Sequence, residues 1–190
     1  MKDVFEKIYS SNSWKDSYGT SSGPGSAIEC SYEYIIFLQN YVKQNRIISI
    51  LDLGCGDFNL MRHFNFENVE YLGLDIVTNV IDYNKKYYSK NNVKFNESNI
   101  ITFSTSNVYD LVILKEVLQH LSNDNIIKLL NNITYAKKIL IVNDIAEENV
   151  DCINGGYRPI NLNKHPFNLK CNTIFEYNSC GFIKNINLIC

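Results

Sequence analysis

The chemistry in this chain gathers where an apolar run, Ile50-Leu51-Asp52-Leu53, breaks into Gly54-Cys55-Gly56-Asp57. Glycine at such a turn lets backbone approach a ligand and supplies φ values that other residues avoid. A second apolar run ends in Asp75, followed by Ile76, about 20 residues on, the separation at which a carboxylate accepts hydrogen bonds from both ribose hydroxyls. Together they point to a nucleoside-bearing cofactor held at the carboxyl ends of parallel strands. A nicotinamide dinucleotide is disfavoured, because the third glycine of G-x-G-x-x-G would fall at Asn59, and a phosphate cradle with its lysine is absent.

A second group follows the fourth apolar run as Lys115-Glu116-x-x-x-His120. Glu116 and His120 are four apart and share a face on a helical turn. A carboxylate that orients an imidazole makes a general base suited to neutral pH. Lys115 is a candidate pocket cation. Arg158, in Gly155-Gly156-Tyr157-Arg158-Pro159, is a donor fork for a substrate hydroxyl, carboxylate or phosphate. Trp14, Tyr18 and Tyr157 offer flat faces for sugar rings or nucleobases, and Asp144 follows the fifth apolar run.

Asp52-x-Gly54-x-Gly56 resembles motif I of the class I S-adenosylmethionine-dependent methyltransferases. Ser22-Gly23-Pro24-Gly25-Ser26, Lys115-Glu116-x-x-x-His120-Leu121 and the 154–169 segment narrow the likeness to a group of small microbial and viral members. Those carry SGPGS, R-D-x-x-x-H-L and GGWRPLNL…PPFN; this chain departs at Lys115, Glu116, Tyr157 and His165. The resemblance implies cofactor contacts at Asp52, Gly54, Cys55, Gly56, Asn59, Asp75, Ile76, Ser98, Asn99 and Lys115. Asn99 stands where family members often hold an acid for the adenine amino group, and departs from it, though its amide oxygen can still accept. Glu116 and His120 are then the catalytic pair, with Trp14, Tyr18, Asp144, Tyr157 and Arg158 on the acceptor side. Some sugar and catechol methyltransferases hold Mg²⁺ at these strand ends; Glu116 and Asp144 would begin such a site, but two carboxylates fall short of one and no metal is assigned.

The implied reaction is O-methylation of a hydroxyl on a small polar acceptor, a sugar or glycan first. An RNA cap or ribose methyltransferase and a non-catalytic cofactor-binding subunit are the alternatives. Eighteen basic residues against 20 acidic ones leave a net charge of −2, with no basic tract and no N/D-P-P-Y motif, so nucleic acid is a disfavoured partner. Nothing in the sequence specifies an oligomer.

The elements that must position these residues follow from periodicity. At 190 residues, with 45% hydrophobic and 20% charged, the chain reads as one globular domain with a complete core. Residues 1–46 hold N-terminal helices and a loop, 47–145 the cofactor-binding core, and 146–190 a substrate loop and closing strands. Asp3 with Glu6 reads as the cap of a short helix carrying Val4, Ile8 and Tyr9, and Ser26-x-x-Glu29 as a capping box opening a helix over 26–45. In that helix Ile28, Tyr32, Ile35, Leu38 and Val42 recur at helical spacing. Strands are expected at 47–53, 69–74, 92–97, 109–114 and 138–142, alternating with helices at 58–64, 77–89 and 123–132, the last capped by Ser122. Such runs without alternation suit parallel strands buried on both faces, giving a doubly wound, Rossmann-like, mostly parallel seven-stranded sheet with helices on both faces. The tail, 173–177 and 182–189, reads as two closing strands or as a short helix and one strand. The long irregular stretch after Asp144, with Pro159 and Pro166, reads as a shaped pocket wall.

The six cysteines show neither C-x-x-C nor zinc spacing and read as reduced thiols of a cytoplasmic protein. No apolar run approaches the roughly 18 residues of a membrane span, and acids stand near the start where a signal peptide needs an apolar core. Frequent Asn, Ile and Lys beside only Arg46, Arg62 and Arg158 suit an AT-rich microbial or viral genome, in which much asparagine carries no mechanism.

Overall fold

The computed structural model describes residues 1–190. Its centre is β1 (Ser49–Leu53), flanked by β2 (Glu70–Asp75) and β4 (Leu111–Lys115), both parallel to it. β3 (Val93–Glu97) adds outside β2 and β5 (Ile139–Asp144) outside β4, again parallel. β6 (Asn172–Ser179) and β7 (Phe182–Ile189) form an antiparallel hairpin, β7 pairing antiparallel with β5. The order is β3-β2-β1-β4-β5-β7-β6, so the tail forms two strands. The chain leaves β1 toward β2 on one side and later returns to β4 on the other. That reversal opens a crevice at the carboxyl ends of β1 and β4.

The unbroken apolar runs divide by the two-residue period of a strand. Ile50, Leu111, Ile113, Leu140 and Val142 enter one core with α2 (Ile28–Gln44) and Ile81 of α3 (Thr78–Tyr88). Leu51, Leu53, Val112, Leu114 and Ile141 enter the other, with Ile126 and Leu129 of α4 (Asn123–Asn132) and with Ile160 and Leu162 of the late loop. Each such fully buried side chain contributes about 1.5–3 kcal/mol, and together they fix the strand ends that carry the functional residues.

Local signals shift where tertiary contacts outweigh them. Ser26 does not cap α2: it closes a 3₁₀ turn, Pro24–Ser26, and the N-cap is Ala27 without a side-chain bond. A non-helical Ser31 (φ −132°) breaks the helical phase, so Tyr34 is buried and Tyr32 is exposed. α1 (Lys2–Ser10) likewise starts after Met1 with no side-chain cap, and the helix expected over 58–64 shrinks to a 3₁₀ turn, Met61–His63. Ser122 does occupy the N-cap of α4, but its hydroxyl makes no cap bond, while its N–H donates to Asn154 Oδ1. The expectation of uniformly reduced cysteines is overturned: Cys30 of α2 and Cys180 of the β6–β7 turn form a disulfide. Their separation of 150 residues is closed only by the fold.

The late loop, 145–171, is held by asparagine. Asn149 Nδ2 donates to the Asn161 and His165 carbonyls (2.8 Å each), and its Oδ1 accepts from Asn161 N–H (2.7 Å). Asn143 Nδ2 donates to Ile160 O (2.9 Å), and Asn163 Oδ1 accepts from Cys171 N–H (3.1 Å). Asparagine that composition alone ascribes to genome bias does structural work here. No helix is long and apolar enough to cross a membrane.

Candidate active site

The crevice at the strand ends is one cleft, enclosing about 1010 Å³ of space with its open mouth included. At one end stands the glycine turn. Gly54 (φ +81°) and Gly56 (φ +56°) both lie in the left-handed region. A Cβ on Gly54 would come within 2.6 Å of Val117 Cγ2, so the turn has no room for a side chain there. Gly56 N–H donates to Asp75 Oδ2 (3.1 Å) and Val77 N–H to Asp75 Oδ1 (3.0 Å), locking the carboxylate at the cleft wall. Burial pushes the Asp75 carboxyl up, against the N–H bonds from Val77 and Gly56. Each oxygen of Asp75 keeps a second lone-pair direction for an incoming hydroxyl. Behind the turn, Asp52 is pushed up to about 6 by burial, opposed by the Tyr71 hydroxyl at 2.7 Å and by Lys115. Burial also keeps the Cys55 thiol protonated, well above its ordinary value. Asn84 of α3, fully buried, donates to Gly56 O (2.7 Å) and braces the turn from below.

Cys55, Asn59, Ile76 and Asn99 line the same end, Asn59 donating to Ser26 O (3.1 Å) and Asn99 Oδ1 accepting from Ile101 N–H (3.0 Å). Ser98 does not line the cleft; its N–H is spent on Asp75 O. Among the wall residues that escape the sequence reading are Met1, Phe5 and Tyr9, which bring the first helix and its N-cap to the cleft. Their 1-5-9 spacing is helical and was the available signal.

The other end is built on Glu116, which follows β4 with φ +56°, a left-handed conformation uncommon outside glycine. Lys115 Nζ donates to Glu116 Oε1 (3.0 Å) and to Gly25 O (2.8 Å). Lys184 of β7 lies 3.6 Å from the same Oε1. Burial drives the Glu116 carboxyl up, but Lys115 and Lys184 more than reverse this and its pKa falls below the ordinary glutamate value. Lys184 is also 2.9 Å from Asp144, and the Tyr157 hydroxyl donates to Asp144 Oδ2 (2.8 Å).

His120 lines the cleft with its ring 4.5 Å from that of Trp14. Glu116 does not orient it, because the two lysines engage that carboxylate and only a 3₁₀ turn, Leu118–His120, follows. The partner is Gly156 O, 2.7 Å from Nδ1. A carbonyl only accepts, so Nδ1 carries the proton and Nε2 is the basic atom of the neutral ring. Burial pushes the imidazole pKa below its ordinary value, against the Gly156 bond and Glu116.

Four residues expected at the acceptor side sit outside the cleft lining. Arg158 is buried: Nη1 donates to Leu121 O (2.7 Å) and Cys152 Sγ (2.8 Å), and Nη2 to Asn123 Oδ1 (2.7 Å), so it pins the late loop to the start of α4. Tyr18 is exposed, its hydroxyl 3.5 Å from Cys180 Sγ, outside the cleft lining. Tyr157, which is exposed, and Asp144, which is buried, are bonded to each other outside the cleft lining. No group of three or more His, Cys, Asp or Glu side chains is arranged to hold a metal ion.

Gly25 packs directly on the central carboxylate: a Cβ there would lie 1.9 Å from Glu116 Oε2 and 2.4 Å from Oε1. Gly25→Ala should therefore displace Glu116 without disturbing the sheet. The expected outcome is loss of turnover on the order of 10²-fold with an unchanged circular dichroism spectrum; an unaffected rate would separate Glu116 placement from turnover.

Residues 45–173 match the family model described as a methyltransferase domain. The ubiquinone biosynthesis O-methyltransferase of Rickettsia bellii (strain OSU 85-389) is 27% identical over 190 aligned residues, covering 92% of this chain and 77% of the relative. Among solved structures, the mitomycin 7-O-methyltransferase aligns at TM-score 0.65 and 13% identity over 83% of this chain, which spans 53% of that one. The magnesium protoporphyrin IX methyltransferase of Synechocystis PCC 6803, solved with bound S-adenosylhomocysteine, aligns at TM-score 0.63 and 11% identity over 98% of this chain and 92% of its own. The domain match spans the glycine turn, Asp75 and the Glu116–His120 segment alike, and the chain belongs to the methyltransferase domain family, with the class I, Rossmann-like architecture.

Proposed function

We propose that the cleft catalyses methyl transfer from S-adenosylmethionine to a hydroxyl oxygen of a small polar acceptor, a sugar or glycan hydroxyl in the first instance. The observation that carries the reading is His120, a half-buried imidazole at the cleft wall whose Nδ1–H is committed to Gly156 O, so that Nε2 is the base. Support also comes from the Rickettsia relative and the mitomycin enzyme, both named as O-methyltransferases.

The cofactor end fits the group. Asp75, already fixed by two N–H bonds, would take the ribose hydroxyls; the Gly54–Gly56 backbone would lie against the amino-acid portion, and Asn99 with Ile76 would flank the adenine. When bound, the sulfonium supplies an activated methyl and leaves as a neutral thioether. The chain's own work is then alignment and proton removal. Trp14 gives the acceptor a flat face. Glu116 has both lysine contacts on Oε1, which leaves Oε2 to accept from an acceptor hydroxyl. As the new C–O bond forms, the hydroxyl proton passes to His120 Nε2. The imidazolium so formed is stabilised by the nearby Glu116 carboxylate.

A phenolic acceptor is the second reading, favoured by the relative's ubiquinone-biosynthesis name. A panel of glycosides and nucleotide sugars beside catechols and hydroxyquinols, read by S-adenosylhomocysteine release, decides between the two; turnover only on capped RNA would sink both.

Two outcomes follow. Asp75→Ala should weaken S-adenosylhomocysteine binding by at least about tenfold through the lost charge-assisted bonds; calorimetry with unchanged affinity would remove the cofactor assignment. The imidazole pKa lies below 6.5, so the base is active above that depressed value and lost as pH falls through it. The acidic limb of the rate profile should have its midpoint below 6.5. His120→Ala should abolish that limb and lower turnover by about 10²–10⁴-fold while cofactor affinity is retained.

A further inference from the structure

Lys184 reaches the acceptor end from outside the parallel core. It sits on β7, directly across from Asp144 in the β5–β7 register, and is only 5% exposed. Its ammonium lies 2.9 Å from both Asp144 oxygens and 3.6 Å from Glu116 Oε1. We propose that Lys184 is a positioning residue standing where a divalent cation would otherwise bridge Glu116 and Asp144, so that this site works without a metal.

A buried carboxylate, Asp144, and a half-buried one, Glu116, at neighbouring strand ends cannot both stay ionised without a counter-charge. A proton or a bound cation would serve, but the counter-charge here is tethered: the Lys184 ammonium reaches both carboxylates, and Lys115 adds a second contact to Glu116. Oxygen-ligand cations need about six donors, and this pair lacks even a third acidic or imidazole partner. Asp144 is further committed, since its Oδ2 accepts from the Tyr157 hydroxyl. From there the path runs through the backbone: Tyr157 is bonded to Gly156, whose carbonyl holds His120 Nδ1. Lys184 thus sets Glu116 through charge and His120 through Asp144, Tyr157 and Gly156. The inference rests on the cleft being the methyl-transfer site.

His120 is faced by Glu116 after β4, Asp144 from β5, Lys184 from β7 and the Tyr157 ring, 6.0 Å away, from the late loop. Removing Lys184 leaves two carboxylates facing the ring, which favours the imidazolium. In the full chain, Lys184→Met should lower turnover by at least about tenfold and move the acidic limb to higher pH. S-adenosylhomocysteine should still bind, because the Asp75 end is untouched. Lys184→Arg, keeping the charge, should restore part of the rate and the original limb. If the Met variant does not fold, Lys184→Gln keeps donors while removing charge and carries the same test.

Wild-type turnover should be indifferent to EDTA and to added Mg²⁺. Mn²⁺ titration followed by electron paramagnetic resonance should find no site in the wild type. The His120 titration by NMR and the Mn²⁺ titration need no acceptor, so a wrong acceptor leaves both readable. Wild-type activity that EDTA abolishes and Mg²⁺ restores would overturn the proposal, as would a charge-removing variant with unchanged rate and an unmoved His120 titration.

Discussion

The end of the cleft at β4 depends on keeping a half-buried carboxylate charged. Glu116 leaves β4 in a left-handed conformation that costs on the order of 1–3 kcal/mol for a non-glycine residue, and it is enclosed by Gly25 on one side and the closing hairpin on the other. Burial alone would raise its pKa. Two lysines from different parts of the chain, one beside it and one on β7, outweigh burial. Lys115 also binds Gly25 O, so the pairing that keeps Glu116 ionised also draws the SGPGS wall onto the strand end. Removing either lysine would leave a buried charge short of compensation, the circumstance in which breaking an ion pair costs most.

The two ends of the cleft are made of different material, and that decided what could be read in advance. The cofactor end is backbone and short-range: Gly54, Gly56 and Asp75 lie within one strand–turn–strand unit, and their types state their geometry. The sheet was equally legible, because runs such as Leu111–Leu114 split evenly between two cores. The acceptor end is side chains from distant segments. Arg158 has the chemistry of a ligand fork, yet residue type does not say whether it points at a substrate or at Leu121 O. Lys184 resembles any other lysine until the register sets it across from Asp144. The disulfide has the same character. Helix phase failed for a local reason: one non-helical residue, Ser31, reassigns burial from Tyr32 to Tyr34.

Ser31 also shows how the hairpin and the cleft are joined. Its hydroxyl donates to Gly25 O (2.8 Å) and lies 3.4 Å from that of Ser179. Cys30, the residue before it, is bonded to Cys180, and Tyr34 packs on Tyr177 with ring centroids 6.1 Å apart. These contacts stitch β6 and its turn to the start of α2, which follows directly on the SGPGS wall. The hairpin therefore touches the acceptor end twice: through α2 to Gly25, and through Lys184 to Glu116 and Asp144.

A tethered ammonium has a consequence that a metal lacks. A metal ion binds wherever its ligands converge and exchanges with solvent, so its site can load after folding. Lys184 arrives only when β7 has paired with β5 in the correct register; a one-residue slip would turn its side chain to the opposite face of the sheet. Completion of the sheet and assembly of the catalytic end are then a single event. The same closure settles the late loop, because Asp144, once paired with Lys184, accepts Tyr157 and so presents the Gly156 carbonyl to His120. The tautomer of His120 is then linked, through Asp144, Tyr157 and Gly156, to the pairing of β7 with β5.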